Sequence, residues 1–246
     1  MPIYRLSKDS LWMPDESEYE DNDIVAVGGD LSIERLVLAY RLGIFPWYNE
    51  PGNPVWYNPM ERAVLFTDRL KISSSMRAVM RKEVFSYSFD RAFRDVMEGC
   101  RGGDRVGNTW MHDEVVEVYC KFHEMGMAHS VEVWNNGNLV GGLYGMSMGK
   151  VFYGESMFSR MSNASKFGFI SLVQMLASKG FDWIDCQVMT EHLASLGAEG
   201  MARTDFLTML DEGLEHPTML GSWSDFAQSN TNHLPAHLVQ SIKSEE

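Results

Sequence analysis

The chain has 246 residues, 45% of them apolar, and a formal net charge of −13; that suits one large domain, or one ordinary domain with a small appendage, and supplies a sizeable core. No run of about eighteen apolar residues is present to cross a bilayer, and the opening MPIYRLSKDSLWMP has neither the apolar stretch nor the cleavage pattern of a signal peptide. Cys100, Cys120 and Cys186 are odd in number and form no CxxC, which points to a reduced cytoplasmic chain and away from a metal ribbon.

In chain order, a Gly-rich turn leads to Ser32, a candidate N-cap for a helix with Leu36, Ala39 and Tyr40 on one stripe and Gly43 as its stop. Residues 46–59 hold four prolines and the aromatics Trp47, Tyr48, Trp56 and Tyr57. The prolines predict a loop without a long element, acting as a lid or as packing between two lobes. A boundary is expected near Glu61, giving a small N-terminal α/β domain over 1–61, a second domain over 62–228 and a polar tail over 229–246. RAVLF then predicts a strand and ISSSMRAVMRKE a basic helix. Asp90 and Asp113 are candidate N-caps of two further helices, the second over 114–125 burying Val115, Val118, Tyr119 and Phe122. AHSVEVW, the turn NNGN, LVGGLYGMSMG and KVFYGESMF predict a β-meander, since Asn-Gly between alternating runs is a strong hairpin signal. NASKFGFISLVQMLASKG predicts a helix ending at Gly180, followed by the strand FDWIDCQVM and the short helices EHLASLGAE and RTDFLTML. The order predicts an α/β (α+β) chain with helices packed on a mixed, mostly antiparallel sheet, which is the element order of the acyl-CoA N-acetyltransferase (GNAT) fold.

The net negative charge argues against nucleic acid in general, yet residues 69–105 carry nine basic and five acidic residues, a local balance of +4. A polyanion could dock there, and the helix with Arg77, Arg81 and Lys82 is its natural centre; alone, that helix reads more simply as a solvated face. The acidic run DESEYEDND at 15–23 reads as a solvated surface with no assignable role.

Familiar sites are excluded. GGLYGMSMGKV is not a P-loop, because Tyr144 stands where the first Gly belongs and Val151 follows the lysine. There is no GxGxxG after a strand, no HExxH and no histidine pair at metal spacing, so no metal and no cofactor are expected. The pyrophosphate loop of acyl-CoA users is missing before NASK, which argues against coenzyme A. In FDWIDCQVM, side chains alternate faces, so Phe181, Trp183, Asp185 and Gln187 share one side and Asp182, Ile184, Cys186 and Val188 the other. A carboxylate amid that apolar run is costly unless paired or hydrogen-bonded. Cys186, on the opposite side from Asp185 and with no histidine partner, reads as a core thiol. Glu155 ends an apolar strand before a Ser- and Asn-rich connection, a common place for function; a plain ion pair with Arg160 is an equally simple reading.

The motifs VGGDLSIERLVLAYRLGIFPWY, NTWM, AHSVEVW, LVGGLYG, FYGESMFSRMSNASK and IDCQV with HLASLGA closely resemble the leucyl/phenylalanyl-tRNA–protein transferase family over about residues 24–210. The resemblance implies a GNAT-like catalytic domain that uses aminoacyl-tRNA in place of acyl-CoA. It implies transfer of Leu, Phe or Met to the N-terminal amine of proteins beginning with Arg or Lys, marking them for N-degron proteolysis. It implies Asp185, Gln187 and Glu155 as the catalytic group. Gln187 would orient the amine, Asp185 would polarise Gln187 or bind the cationic substrate, and Glu155 would hold the aminoacyl-adenosine end or the amine. Tyr40, Trp47, Trp110, Tyr119, Phe152, Ser156 and Met157 would form the substrate pocket, while Phe122, Phe169 and Trp183 are expected in the core. Where family members place a bulky aromatic in the helix after NASK, this chain has Leu172, which implies a pocket of different size. Arg77, Arg81 and Lys82 would take acceptor-stem phosphates. A cytoplasmic monomer with no membrane partner is expected. The rivals are a coenzyme A-dependent acetyltransferase, a Fem-type transferase acting on a cell-wall precursor, and a non-catalytic tRNA-binding module; none of them accounts for GESMFSRMSNASK together with IDCQV.

Overall fold

The computed structural model describes residues 3–19, 22–50, 53–102 and 111–227. Trp110 and the expected tail over 229–246 lie outside the described residues. The chain opens with β1 (Tyr4–Leu6), β2 (Ile24–Gly28), α1 (Ile33–Arg41), β3 (Phe45–Glu50) and β4 (Asn53–Tyr57). These four strands form one sheet in the order β1-β2-β4-β3. Ser32 caps α1, its hydroxyl accepting from the Arg35 amide, and Leu36, Ala39 and Tyr40 are buried as the stripe predicts.

The proline-rich stretch is a hairpin rather than the expected loop. Pro46 sits in β3, at the edge of the sheet where a missing N–H is harmless. Pro54 pairs only with Tyr48, beyond the Val27–Val55 end of the β2–β4 ladder. Both prolines therefore fit short strands without breaking a ladder.

The larger part begins with β5 (Glu61–Phe66) and α2 (Ser74–Arg81), then β6 (Ser86–Phe89), α3 (Phe93–Arg101) and α4 (Asp113–Glu124). The meander follows as β7 (Ala128–Asn135), β8 (Asn138–Met148) and β9 (Val151–Ser159), with Asn136 and Gly137 both at positive φ in the turn, the requirement of a tight hairpin. Then come α5 (Ala164–Ser178), β10 (Trp183–Gln187), α6 (Glu191–Leu196), β11 (Glu199–Ala202) and α7 (Arg203–Leu214). The seven strands are ordered β11-β5-β10-β9-β8-β7-β6, and the β9–β10 pair is parallel in a sheet otherwise antiparallel. The chain is thus a mixed α/β structure of acetyltransferase-like architecture with a smaller N-terminal part.

One face of the large sheet shares a core with α1, α3, α4, α7 and the N-terminal sheet; the other is covered by α2 and α5. Alternation along β10 places Trp183 in the first core and Ile184 and Cys186 in the second. The helix α5 is apolar on nearly all sides because it is buried from Ala164 to Leu176.

Two expected caps are corrected. Asp90 has φ +58 and spends its buried carboxylate on His129 Nδ1 (2.9 Å), the Ser130 amide (2.9 Å) and the Trp223 amide (2.7 Å). With three donors already met it caps no helix, and α3 starts from Ala92. Asp113 lies inside the first turn of α4, whose cap position is His112; there its charge still complements the helix dipole.

Candidate active site

The parallel pair β9–β10 is in register only at Ile184–Phe152 and Asp185–Tyr153. Beyond it a bulge between Asp185 and Gln187 shifts the register with β5, which resumes at Gln187–Ala63, and Gln187 takes φ +61. A bulge re-aims a side chain that strict alternation would leave beside its neighbour. Here it separates the fates of two residues expected on one side of the strand. Asp185 stays in the core, while Gln187 turns to Glu155 of β9, its Nε2 donating to Oε1 at 3.0 Å.

Glu155 Oε1 also accepts from the Tyr40 hydroxyl at 2.6 Å. The Tyr119 hydroxyl is hydrogen-bonded to that of Tyr40 and contributes to holding the Glu155 carboxylate. Burial pushes the Glu155 carboxyl up to about 7, against the opposing pull of the hydrogen bonds from Tyr40, Gln187 and Tyr119. The same burial, with the adjacent carboxylate, raises the Tyr40 phenol well above its ordinary value, so it remains a donor. The simple pairing of Glu155 with Arg160 does not occur: Arg160 lies over the Phe158 ring and donates to the Leu139 carbonyl.

Glu155 and Gln187 open on a cavity of about 500 Å³. Its walls include Leu143, Phe152, Met157, Phe169, Leu172 and Leu193, with Ser156, Thr190 and His192 as polar members and Phe45, Pro46 and Trp47 closing it from the N-terminal part. Trp47 is 40% exposed and lies against Tyr57. Of the residues expected here, Trp47, Phe152, Ser156, Met157, Glu155 and Gln187 line the cavity. Tyr40 and Tyr119 do not line it; they are fully buried behind Glu155. Trp110 lies outside the described residues. Phe169, expected only in the core, is both buried and part of the wall, because α5 is close enough to the β9–β10 cleft to do both. Phe122 and Trp183 are in the core as expected. Cys186 also borders the cavity; burial raises its thiol well above the usual range, leaving no thiolate for nucleophilic work.

Asp185 is placed differently from the expectation that it meets a cationic substrate. It is fully buried and does not line the cavity. Arg62 of β5 grips it with two bonds, Nε to Oδ1 at 2.8 Å and Nη2 to Oδ2 at 2.6 Å. Oδ1 also accepts the Gln187 backbone amide at 2.8 Å. Asp185 thus meets the backbone of Gln187, and Glu155 meets its side chain. The sequence points to Arg62 through a rule rather than a motif: a buried carboxylate requires a partner, and Arg62 heads the apolar RAVLF.

The basic region is smaller than its composition suggests. Arg69, Arg94 and Arg101 are paired with Glu199, Glu117 and Asp113. On α2, Met76 faces the core; Arg81 and Lys82 are exposed, and Arg77 is half-buried with its Nε on the Ile72 carbonyl. Arg77, Arg81 and Lys82 form no ion pair among the described residues, and no group of metal-ligating side chains is found there.

A carboxylate and a carboxamide joined over an apolar cavity, in the cleft where two parallel strands of the sheet part, make this the candidate active site. Comparison with known proteins sharpens this. Residues 64–211 match the family described as leucyl/phenylalanyl-tRNA protein transferase, and residues 29–60 match the N-terminal domain of that family. A leucyl/phenylalanyl-tRNA–protein transferase of Syntrophobacter fumaroxidans is 49% identical over 225 residues, covering 91% of this chain and 96% of the relative. Those of Maridesulfovibrio salexigens (49% over 226 residues; 91% and 94% covered) and Desulfatibacillum aliphaticivorans (48% over 227; 91% and 97%) are similar to the same extent. The chain belongs to the leucyl/phenylalanyl-tRNA–protein transferase family and is an aminoacyltransferase.

Proposed function

We propose that this enzyme moves a leucyl, phenylalanyl or methionyl group from the 3′ end of its tRNA to the N-terminal amine of a protein that begins with Arg or Lys. The observation that carries the reading is the Glu155–Gln187 contact at the edge of an apolar cavity in a chain of this family.

The aminoacyl ester is already activated, so the remaining work is to hold a neutral amine against the carbonyl and to stabilise the oxyanion that forms. The cavity walls at Phe152, Met157, Phe169 and Leu172 suit an unbranched or γ-branched apolar side chain. Trp47, partly exposed at the rim, offers a face on which the terminal adenine stacks. One Gln187 N–H is committed to Glu155; its other N–H and its carbonyl oxygen are available to the oxyanion and to the amine. As the amine nitrogen bonds to the carbonyl carbon and the bond to the ribose 3′ oxygen breaks, one amine proton must reach that oxygen. Glu155, poised near 7, is the group that accepts and returns it. Asp185, with both oxygens engaged, acts through Gln187 rather than on substrate. Arg77, Arg81 and Lys82 take phosphates of the acceptor stem, a sequence-independent contact. In this reading the enzyme works as a cytoplasmic monomer without a cofactor, and its product is marked for proteolysis by its new N-terminal residue. No described helix is long and apolar enough to cross a membrane.

The test is transfer of labelled leucine from Leu-tRNA to a peptide beginning with Arg, beside the same peptide beginning with Gly. Label on the Arg peptide alone is the expected result. Label on neither, with tRNA binding intact, would favour a non-catalytic binding module.

A further inference from the structure

Arg62 is buried with no exposed atom, and its guanidinium is used on every side. Two nitrogens hold Asp185, and the third, Nη1, donates to the Gly43 carbonyl at 2.9 Å. Its faces lie between the rings of Phe45 and Phe206, at 4.6 and 4.5 Å. These partners come from four separate parts of the fold: β10, the α1–β3 turn, β3 and α7. Two of them run directly into the cavity walls. Asp185 Oδ1 accepts the amide of Gln187, the residue in left-handed conformation whose side chain meets Glu155. Gly43, at φ +70 where a side chain would be strained and a Cβ would press on Leu207 Cδ2 at 2.7 Å, leads at once into Phe45, Pro46 and Trp47, the opposite wall.

A buried ion pair contributes little to stability compared with well-packed apolar side chains, so stability alone is a poor reason for this arrangement. What an arginine supplies here is geometry: a rigid planar fork with donors in fixed directions. We propose that Arg62 is a positioning residue that sets the distance between the two walls of the cavity, holding Gln187 through Asp185 and the Trp47 strand through Gly43. The effect on catalysis rests on the transfer reading above; the effect on the walls does not.

The charge-free double variant Arg62→Met/Asp185→Leu keeps the interior apolar and removes the fork. Its thermal unfolding, its affinity for Leu-tRNA, its single-turnover transfer rate at saturating Leu-tRNA, and amide exchange are compared with wild type. The expected result is a folded protein that binds Leu-tRNA within about threefold of wild type but transfers at least about tenfold more slowly, since a misplacement near 1 Å is enough for such a loss. Exchange should accelerate at the Gln187 amide and over 43–47 and stay unchanged over β7 and β8. A double variant with wild-type rate and wild-type exchange would overturn the proposal and leave the pair a fold element only. If wild type itself transfers nothing, the functional reading falls, and exchange alone judges Arg62. If the double variant does not fold, Arg62→Lys takes its place. It keeps the charge but cannot hold both Asp185 oxygens and Gly43; the same split is expected, and a wild-type rate in that variant would equally overturn the role.

Discussion

Gln187 Nε2 and Glu155 Oε1 meet at 3.0 Å across two strands that have just ceased to pair. The contact exists because β9 and β10 are parallel neighbours for two residue pairs only, and because the bulge before Gln187 turns its side chain out of the ladder. Each partner is shaped by the other's surroundings. Glu155 gains a donor that favours its ionised form within a site whose burial opposes ionisation. Gln187 has one amide hydrogen fixed, which orients the rest of the carboxamide.

The Glu155 carboxyl, raised to about 7, gives a pH dependence of known sign. A carboxyl whose pKa is higher folded than unfolded favours the fold most below its unfolded value, and that contribution is lost as pH rises through about 7. Glu155→Gln should therefore gain stability relative to wild type between about pH 4.5 and 7, as read by urea unfolding across that range. In the proposed mechanism transfer requires the ionised form, so the single-turnover rate should rise with pH to a step near 7, separate from the acceptor amine's own ionisation at about 7.7–8.0. Glu155→Gln should lose the lower step and keep the upper one, with a rate at least about a hundredfold below wild type. An unchanged lower step in that variant would remove Glu155 from the proton path.

Gln187 separates backbone from side chain. At φ +61 a glycine is unstrained and an alanine is not. Gln187→Gly should thus unfold at a higher denaturant concentration than Gln187→Ala, by about 1 kcal/mol, while both lose transfer to a similar degree. If Gln187→Gly retained the rate, the carboxamide would have no part in the reaction.

Much of this site is legible in the order of the residues, and the limits have physical causes. Ser32 as a cap, the Asn-Gly hairpin, the stripe of α4 and the alternation of Trp183, Ile184 and Cys186 follow from local rules, and the structure carries each of them. The strands β1, β6 and β11 have three or four residues, too few for a period of two to register. Pro46 and Pro54 mislead because tolerance of proline depends on which strand is at the edge, a property of the assembled sheet. Asp90 misleads because its carboxylate has three donors brought from distant segments. The bulge at Gln187 has no glycine to announce it, and Tyr40 and Tyr119 are named by motif but placed behind Glu155 by the fold. Arg62 is foreshadowed only by the need of Asp185 for a partner.

Leu172 is 1% exposed and lines the cavity, so in the proposed function its size bears directly on which aminoacyl group fits. Leu172→Phe adds volume where a phenylalanyl ring would compete for it. Relative to wild type, kcat/KM with Phe-tRNA should fall by about tenfold more than with Leu-tRNA, within the roughly 1–3 kcal/mol that an apolar pocket can discriminate. Equal losses with both tRNAs would place the aminoacyl side chain elsewhere in the cavity.

In the proposed function the charges of α2 act differently, because phosphate contacts add affinity without choosing among side chains. Arg81 and Lys82 are exposed and unpaired among the described residues, so replacing them leaves no buried group unsatisfied. Arg81→Gln/Lys82→Gln should leave thermal unfolding unchanged and weaken Leu-tRNA and Phe-tRNA binding by the same factor. The slope of log K against log salt should become shallower by roughly 0.7–0.9 for each phosphate that is no longer neutralised. The single-turnover rate at saturating tRNA should stay at the wild-type value, since neither residue reaches the cavity. A slope equal to wild type would mean that the acceptor stem lies on another face, and that α2 is the solvated helix its sequence alone describes.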